Sequence, residues 1–402
     1  MQAESQQIVR KRRVFYIPGY DPFHPRRYRE LYRKESKAQA EVSGYEISQS
    51  PKQAGGIYGW HVSSKIDGHD VETDVDVLVW SDLVQDSMSQ GIFSTYRQLV
   101  TTAWLYISTG ALRRLAKLRK GPIIAALYPI GFLLLQLVFA VLLAWGAGRL
   151  LALVHPNLGW LGLVVIWPVL EWFRRKDNKF FAYYLMHDYA YSSRLRGSNP
   201  PELKERMTVF KATLEAAFRE QCDEVLVVGH SSGAHLAVHV LADILRENPT
   251  LENCPKIGFL SLGQVVPMMS FLPEARELRR DLRLLSEQDR FFWLDVTAPG
   301  DGCAFALCDP VAVSAVATDA KKWPLVISAA FTQTLSEKRW NELKRRYFRL
   351  HFQYLCAFDR PGDYDYFRIT AGPLSLSDRF AGRQPSKSRL EAPVNKYTDL
   401  AP

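Results

Sequence analysis

A short apolar strand that turns directly into a helix is the feature that most restricts the fold of this sequence. The β-branched run at residues 225–228 is followed at once by residues 229–233, which read Gly-His-Ser-Ser-Gly, and a helical pattern continues to Leu245. This arrangement predicts a buried strand, a sharp turn and a helix. The turn holds Ser231 in a strained conformation with its hydroxyl at the end of the sheet, and the two glycines permit the close approach of strand and helix.

The Gly-x-Ser-x-Gly turn in this setting resembles the nucleophile elbow of the α/β-hydrolases, a superfamily of serine hydrolases. The resemblance covers roughly residues 13–85 and 200–360 and implies an α/β fold, a sheet flanked by helices. It also implies that Ser231 is the nucleophile and that the backbone N–H of Ser232 points at the oxyanion. In this superfamily a loop after an early strand gives the second donor, here the backbone N–H of Tyr20. The alternative is a tight turn that needs small residues and does no chemistry.

A serine nucleophile needs a base at hydrogen-bonding distance and a carboxylate that fixes the tautomer of that base. In α/β-hydrolases the chain order is serine, acid, histidine, and His351 is the only histidine downstream of the late acidic candidates. We predict His351 as the base; the alternative is a half-buried histidine packed among aromatic residues. For the acid we favour Asp301, in a turn just past a strand predicted over 291–296, where catalytic groups gather in parallel sheets. Asp295 and Asp309 remain alternatives.

No metal or cofactor site is predicted. His235 and His239 stand four apart on the helix after the turn, as zinc ligands can, but the glutamate of the His-Glu-x-x-His pattern is missing and no further ligand set is evident. Packing or surface roles are therefore predicted for both. The five cysteines are odd in number and form no Cys-x-x-Cys pair, which indicates reduced thiols in a cytosol-facing domain; they are Cys222, Cys254, Cys303, Cys308 and Cys356.

Two apolar segments predict an inserted transmembrane helical hairpin. Residues 121–148 contain no charged side chain, and as a helix at about 1.5 Å per residue they would extend about 42 Å. That length exceeds a hydrocarbon core of roughly 30 Å. After Arg149, residues 150–170 are again free of Lys, Arg, Asp and Glu. A buried soluble hairpin is the alternative interpretation.

We predict hairpin legs at 123–145 and 159–173, joined by a turn over 149–157. The second leg is short and contains Pro168, so a re-entrant or tilted helix is an alternative. Lys and Arg cluster before the first leg and after the second, which by the positive-inside rule predicts an integral membrane protein with two spans and a cytoplasmic catalytic domain. Residues 92–118 form an amphipathic helical pattern that predicts either cover for the core or a helix in the membrane interface.

The chain divides into four predicted parts. They are the N-terminal part of the hydrolase domain at 1–90, the amphipathic helix and hairpin at 91–180, the C-terminal part with the nucleophile turn at 181–371, and a loose tail at 372–402 that is rich in Pro, Ser and charge. The net charge of +9 lies largely beside apolar segments and no nucleic-acid module is present. This favours an anionic membrane surface over nucleic acid as partner.

These features predict a membrane-anchored serine hydrolase that cleaves carboxylic esters or thioesters through the triad of Ser231, His351 and Asp301 and an acyl-enzyme. Because tethering at a membrane raises the local concentration of lipids, we favour acyl lipids or other hydrophobic esters as substrates. Two alternatives stay open: an acyltransferase that uses the same nucleophile, and a catalytically silent hydrolase fold that acts as a membrane scaffold.

Overall fold

The computed structural model describes residues 7–52, 56–248 and 255–401 and is organised around a mixed sheet of eight strands. The strands are β1 (Lys11–Ile17), β2 (Glu46–Pro51), β3 (Gly59–Ile66), β4 (His69–Val77), β5 (Glu224–His230), β6 (Lys256–Leu262), β7 (Phe291–Thr297) and β8 (Leu325–Ser328). Their order in space is β2-β3-β4-β1-β5-β6-β7-β8. Among these strands β3 runs in the opposite direction to the other seven, which are parallel to one another. The sheet confirms the predicted α/β class.

Helices surround the sheet and form a separate inserted group. Those before β5 are α1 (Arg26–Ser43), α2 (Ser81–Met88), α3 (Ile92–Ser108), α4 (Ala111–Leu115), α5 (Lys120–Ala152), α6 (Ile166–Arg175), α7 (Asp177–Phe180), α8 (Ala182–Ser193) and α9 (Pro201–Phe218). Those after it are α10 (Gly233–Glu247), α11 (Val266–Ser270), α12 (Arg276–Ser286), α13 (Pro310–Val313), α14 (Phe331–Thr334), α15 (Glu337–Leu343), α16 (Tyr347–His351), α17 (Tyr366–Ala371) and α18 (Leu376–Arg379). Two 3-10 helices span Pro156–Val165 and Phe352–Leu355.

Both faces of the sheet are covered because successive side chains of a strand point to opposite sides. Phe15 of β1 and Val227 of β5 pack in one apolar cluster with α9, α10 and α12. Val14 and Leu226, their neighbours in the sequence, pack in a second cluster with α1 and α17. The central strands are therefore continuous apolar runs, as parallel strands buried on both faces require.

Most predicted strands are present, whereas two strands were missed. The strands predicted at 225–228 and 291–296 lie in β5 and β7. The missed strand β2 is a polar, largely exposed edge strand, and β8 has only four residues. Neither offers the alternating or continuous apolar pattern from which strands are predicted.

The inserted segment differs in part from the predicted two-span hairpin. Among the described residues one helix, α5, is long and apolar enough to cross a membrane, and 22% of its most apolar window is buried. The second leg is not one helix: it begins as the 3-10 helix Pro156–Val165 and continues as α6. The connecting turn is shorter than predicted, because α5 extends to Ala152.

Small residues allow the 3-10 helix to lie directly against α5. A Cβ on Gly162 would be 2.4 Å from the carbonyl oxygen of Ala144, and a Cβ on Gly148 would be 2.5 Å from that of Gly159. Backbones approach this closely only where side chains are absent or minimal, as in other tightly packed apolar helix pairs. The two legs therefore form one packed unit although the second is irregular.

The amphipathic pattern predicted over 92–118 is split into α3 and α4 at Gly110, which has a φ of 69°. The outer face of α3 is apolar and exposed, with Phe93 82% and Trp104 71% accessible. Its other face packs with α5 and α8 around Leu99 and Leu133. The inserted unit thus extends through α8, beyond the boundary predicted at 180.

The predicted loose tail at 372–402 differs from the structure, in which residues 372–401 lie against the domain built around the sheet. Arg12 donates to the carbonyl oxygens of Gly372 and Leu374, and Asn395 donates to that of Ser270. The side chain of Leu376 is buried. The segment is therefore held by specific hydrogen bonds and by a buried apolar side chain, while most residues of 381–401 are exposed or partly exposed. Of the cysteines, Cys222, Cys303, Cys308 and Cys356 are free, and Cys254 lies outside the described residues.

Candidate active site

The turn between β5 and α10 holds Ser231 in a left-handed backbone conformation. Its φ is 56°, a region that a serine occupies only when the surrounding structure imposes it. A Cβ on Gly229 would lie 2.7 Å from Cα of Ala234, and a Cβ on Gly233 would lie 2.1 Å from the carbonyl oxygen of Ile17. The motif glycines are thus required for the close packing of strand, helix and neighbouring loop, as the sequence predicted.

His351 and Asp301, predicted as base and acid, are in direct contact. Nδ1 of His351 lies 2.7 Å from Oδ2 of Asp301, and both side chains are buried. His351 is the last residue of α16, and Asp301 lies in the loop that follows β7. Fifty residues therefore separate the pair in sequence, and the loops after β7 and β8 bring the two side chains together at the carboxyl edge of the sheet.

Several donors keep Asp301 ionised. Burial by itself raises the pKa of Asp301, but the charge of His351 and hydrogen bonds from His351, Cys303 and Tyr354 outweigh burial and hold this pKa below its ordinary value. The backbone N–H of Cys303 is 2.9 Å from Oδ1, and the hydroxyl of Tyr354 is 3.0 Å from Oδ2. An ionised Asp301 accepts from Nδ1–H of His351, which leaves Nε2 as the proton acceptor of the neutral ring.

Asp295 and Asp309, the two alternative acids, contact groups other than His351. Asp295 lies inside β7 and accepts from the hydroxyl of Ser261 at 2.6 Å. Asp309 accepts from the first N–H groups of α13 and pairs with Lys321. Among the described residues only Asp301 of the three aspartates contacts His351.

The Nε2 atom of His351 is buried and has no hydrogen-bond partner in the described ranges. Ser231 and His351 line the same cavity, yet no hydrogen bond joins the Ser231 hydroxyl to this nitrogen among the described residues. His230 contacts His351 in two ways: the two rings are 4.8 Å apart, and Nε2 of His230 is 3.0 Å from the carbonyl oxygen of His351. Because burial lowers the pKa of His230 to about 3, that ring is neutral and donates.

Both predicted oxyanion donors are available. The backbone N–H groups of Tyr20 and Ser232 have no acceptor within the described part of the chain. Gly19, next to Tyr20, lies so close to the nucleophile that a Cβ there would be 2.9 Å from Cβ of Ser231. The loop after β1 and the N-terminus of α10 therefore meet at the candidate nucleophile.

These groups open into a cavity of about 1500 Å³. One set of lining residues comes from the inserted segment and α11 and is mostly apolar or aromatic: Tyr106, Pro122, Phe181, Tyr184, Leu185, Met268 and Met269. A second set, from α1, α15 and α16, is rich in charged side chains. The cavity is large enough for a ligand with a long apolar part.

His235 and His239 both lie in the interior of the protein. Nδ1 of His239 is 2.7 Å from Asp281 in the protein interior, and His235 is buried beside the cavity. Neither belongs to the one group of potential metal ligands found in the described residues, which is Asp301, Cys303 and His351. Burial holds the pKa of the Cys303 thiol well above its ordinary value, which disfavours the thiolate that a metal needs.

Sequence reasoning missed three residues of the site. Tyr354 supports Asp301, His230 supports His351, and Asp188 of α8 lines the cavity. His230 stands inside the Gly-x-Ser-x-Gly motif, which was a usable signal. Asp188 lies in a segment rich in aromatic residues, and its position beside the cavity is evident only from the packing of α8.

Comparisons with known protein families, with curated proteins and with solved structures found no match to this chain.

Proposed function

We propose that this protein is a membrane-anchored serine hydrolase of the α/β-hydrolase type that cleaves carboxylic esters or thioesters. One observation supports this most strongly: the 2.7 Å contact between His351 and Asp301 lies in the wall of the cavity that also contains Ser231 at its positive φ. A tight structural turn needs small residues, but it needs neither an imidazole with a free buried nitrogen nor a carboxylate behind it.

The proposed reaction has two halves. Nε2 of His351 accepts the proton of the Ser231 hydroxyl as Oγ bonds to the ester carbonyl carbon, and the N–H groups of Tyr20 and Ser232 stabilise the oxyanion. The C–O bond breaks, and His351 returns the proton to the departing alcohol. Water then attacks the acyl carbon with His351 again as base, the bond from this carbon to Oγ breaks, His351 returns the proton to Oγ of Ser231, and the carboxylic acid leaves. Asp301 keeps Nδ1 protonated and stabilises the imidazolium in both halves.

Acyl lipids are the proposed substrates, because an apolar wall of the cavity continues into the inserted segment. Pro122, in the first turn of α5, and Leu185 of α8 both line the cavity. Further along α5 and beyond, apolar side chains such as Trp145 and Leu153 are exposed. A hydrophobic ester that leaves a bilayer along this segment would reach Ser231 without crossing water.

Anchoring is proposed from the dimensions of the segment. The 33 residues of α5 extend about 50 Å at about 1.5 Å per residue, well beyond a hydrocarbon core of roughly 30 Å. The second leg has ten residues of 3-10 helix and ten of α-helix, about 35 Å in all at about 2.0 and 1.5 Å per residue. We propose that both legs enter the bilayer, with the apolar face of α3 at the interface and the catalytic domain in the cytoplasm.

Covalent labelling with a fluorophosphonate tests the chemistry. Wild-type protein is expected to be labelled, Ser231→Ala to be unlabelled, and His351→Asn to lose several orders of magnitude in labelling rate and turnover, because the serine then lacks a proton acceptor. Ser48→Ala on the exposed edge strand β2 and His61→Asn on β3 serve as matched controls and are expected to behave as wild type.

Equal labelling of wild type and Ser231→Ala would contradict the proposal. Near-normal turnover by His351→Asn in folded protein would contradict the assignment of the base. The scaffold alternative, motivated by the missing hydrogen bond between Ser231 and His351, predicts that Ser231→Ala retains full cellular function. An acyltransferase would be labelled in the same way and is separated by supplying an acceptor alcohol and measuring the new ester.

A further inference from the structure

The helix α8 presents one continuous face to the candidate catalytic cavity, and that face contains a single charged side chain. Residues at three- and four-residue spacing along α8 line the cavity: Tyr184, Leu185, Asp188, Tyr189 and Ser192. The opposite face is held in place by apolar packing of Met186 with α3 and α5 and by a 2.8 Å contact between His187 and Gln98. The position of Asp188 toward the cavity is therefore fixed by the packing of the helix behind it.

The carboxylate of Asp188 has no hydrogen bond or ion pair within the described part of the chain, and its side chain is partly exposed, on the cavity side of α8. Its charge interacts with His351, Tyr20 and Cys303, which surround the candidate active site. Burial raises the pKa of Asp188 to about 7, against the influence of the His351 charge. Asp177, another carboxylate that lines the cavity, does have partners: it accepts from the N–H groups of Tyr183 and Tyr184.

A carboxyl group that lies beside the apolar wall of the cavity without a partner loses part of its hydration without compensation. Such a group is costly unless a ligand supplies the missing donor. We infer that Asp188 recognises a hydrogen-bond donor, a hydroxyl or an ammonium group, on the alcohol part of the ester that Ser231 attacks. This inference rests on the proposed function and narrows its substrate class to acyl esters of polar alcohols, as opposed to simple alkyl esters.

The test compares esters that share one acyl chain and differ in the alcohol: a methyl ester, a glycerol monoester and a choline ester. A hydrogen bond to a charged group favours a substrate that can form it over one that cannot by roughly tenfold or more. Wild type is therefore expected to show at least about tenfold higher kcat/KM for a polar ester than for the methyl ester. Asp188→Leu is expected to abolish this preference while hydrolysis of the methyl ester continues.

Asp188→Asn separates the two kinds of donor. A carboxamide still accepts a hydrogen bond from a hydroxyl but has no charge for an ammonium group, so Asn should retain a preference for the glycerol ester and lose one for the choline ester. Glu342→Gln is the matched control: Glu342 is a second cavity-lining carboxylate without a partner in the described ranges, but it is exposed to water on α15. Its replacement is expected to leave the ratio unchanged.

Labelling of Ser231 by a fluorophosphonate, which has no donor for Asp188, reports in each variant whether the site is folded. Normal labelling with a wild-type ratio in Asp188→Leu, or an equal slowing of all esters, overturns the inference and leaves the proposed function intact. Absence of both labelling and ester hydrolysis in wild type overturns the proposed function and the inference with it.

Discussion

At the residue scale, two buried aspartates close together in sequence have opposite protonation behaviour. Asp301 receives three hydrogen bonds and faces His351, so its pKa is lowered. Asp295, inside β7, is equally buried, and burial raises its pKa to about 8 with only partial compensation from Ser261 and Gln264. One oxygen of Asp295 has no partner among the described residues. The charges and hydrogen-bond donors around each carboxyl group, and not burial, decide which of the two aspartates is ionised.

Asp295→Asn is expected to change the pH dependence of stability. The folded protein keeps a proton on Asp295 that the unfolded chain releases above pH about 4, so this group contributes stability that falls as pH rises from about 4 to about 8. The neutral amide should remove this dependence and increase the free energy of unfolding at pH 8 by about 1–3 kcal/mol. Melting temperatures measured between pH 5 and 8 test this, with the exposed Asp319→Asn as control. Parallel profiles for wild type and Asp295→Asn would contradict it.

At the element scale, α5 is oriented by the size of its side chains rather than by their polarity. It is apolar on all sides, so no polar stripe marks its outer face. Its buried positions fall at three- and four-residue spacing and become smaller toward the C-terminal end: Leu133, Gln136, Ala140, Ala144 and Gly148. The second leg packs against the small end of this stripe. Packing of this kind stabilises apolar helix pairs where the hydrophobic effect cannot.

Gly148→Ala and Gly146→Ala should therefore have opposite effects, although they lie two residues apart in α5. An added methyl at 148 would meet the carbonyl oxygen of Gly159 at 2.5 Å, whereas one at 146 would meet nothing within 4 Å. We expect Gly148→Ala to destabilise the inserted unit by about 1–3 kcal/mol and Gly146→Ala to be neutral or stabilising by up to about 1 kcal/mol. Thermal unfolding in detergent measures both. Equal melting temperatures would argue against direct packing of the two legs.

At the scale of the whole molecule, the inserted unit and the cavity are one structure. The first turn of α5 and one face of α8 line the cavity, and α8 also packs on α3 and α5. The candidate catalytic groups come from the segments after β1, β5, β7 and β8. A bilayer around α5 would therefore lie next to the apolar wall of the cavity.

Alkaline carbonate extraction tests the membrane assignment. Wild-type protein is expected to remain in the membrane pellet. The double variant Leu135→Lys, Leu142→Lys introduces charges at two exposed positions of α5. It should be recovered in the soluble fraction or be degraded, since each lysine costs about 2.5–3.5 kcal/mol near the centre of a bilayer. Release of intact wild type, or unchanged behaviour of the double variant, would contradict insertion of α5.

The sequence by itself determined the features that depend on local pattern. The strand, turn and helix around Ser231 follow from a β-branched run, two glycines and a helical period, all within neighbouring residues. Chain order was enough to nominate His351 and Asp301, and the uncharged run at 121–148 was enough to predict a long apolar helix. In each case the physical cause lies within a few turns of chain, so it can be recognised without tertiary contacts.

The tertiary structure alone decided which groups meet. The position of Asp301 just past a strand favoured it over Asp295 and Asp309, but only the packing of the loops after β7 and β8 shows which of the three aspartates contacts His351. Asp188 became a cavity residue because the packing of α8 on α3 and α5 sets which face is turned inward, and an aromatic sequence does not specify that rotation. The ordered tail and the irregular second leg likewise depend on distant partners, Arg12 and Gly148, whose contacts are not encoded in the segments that they stabilise.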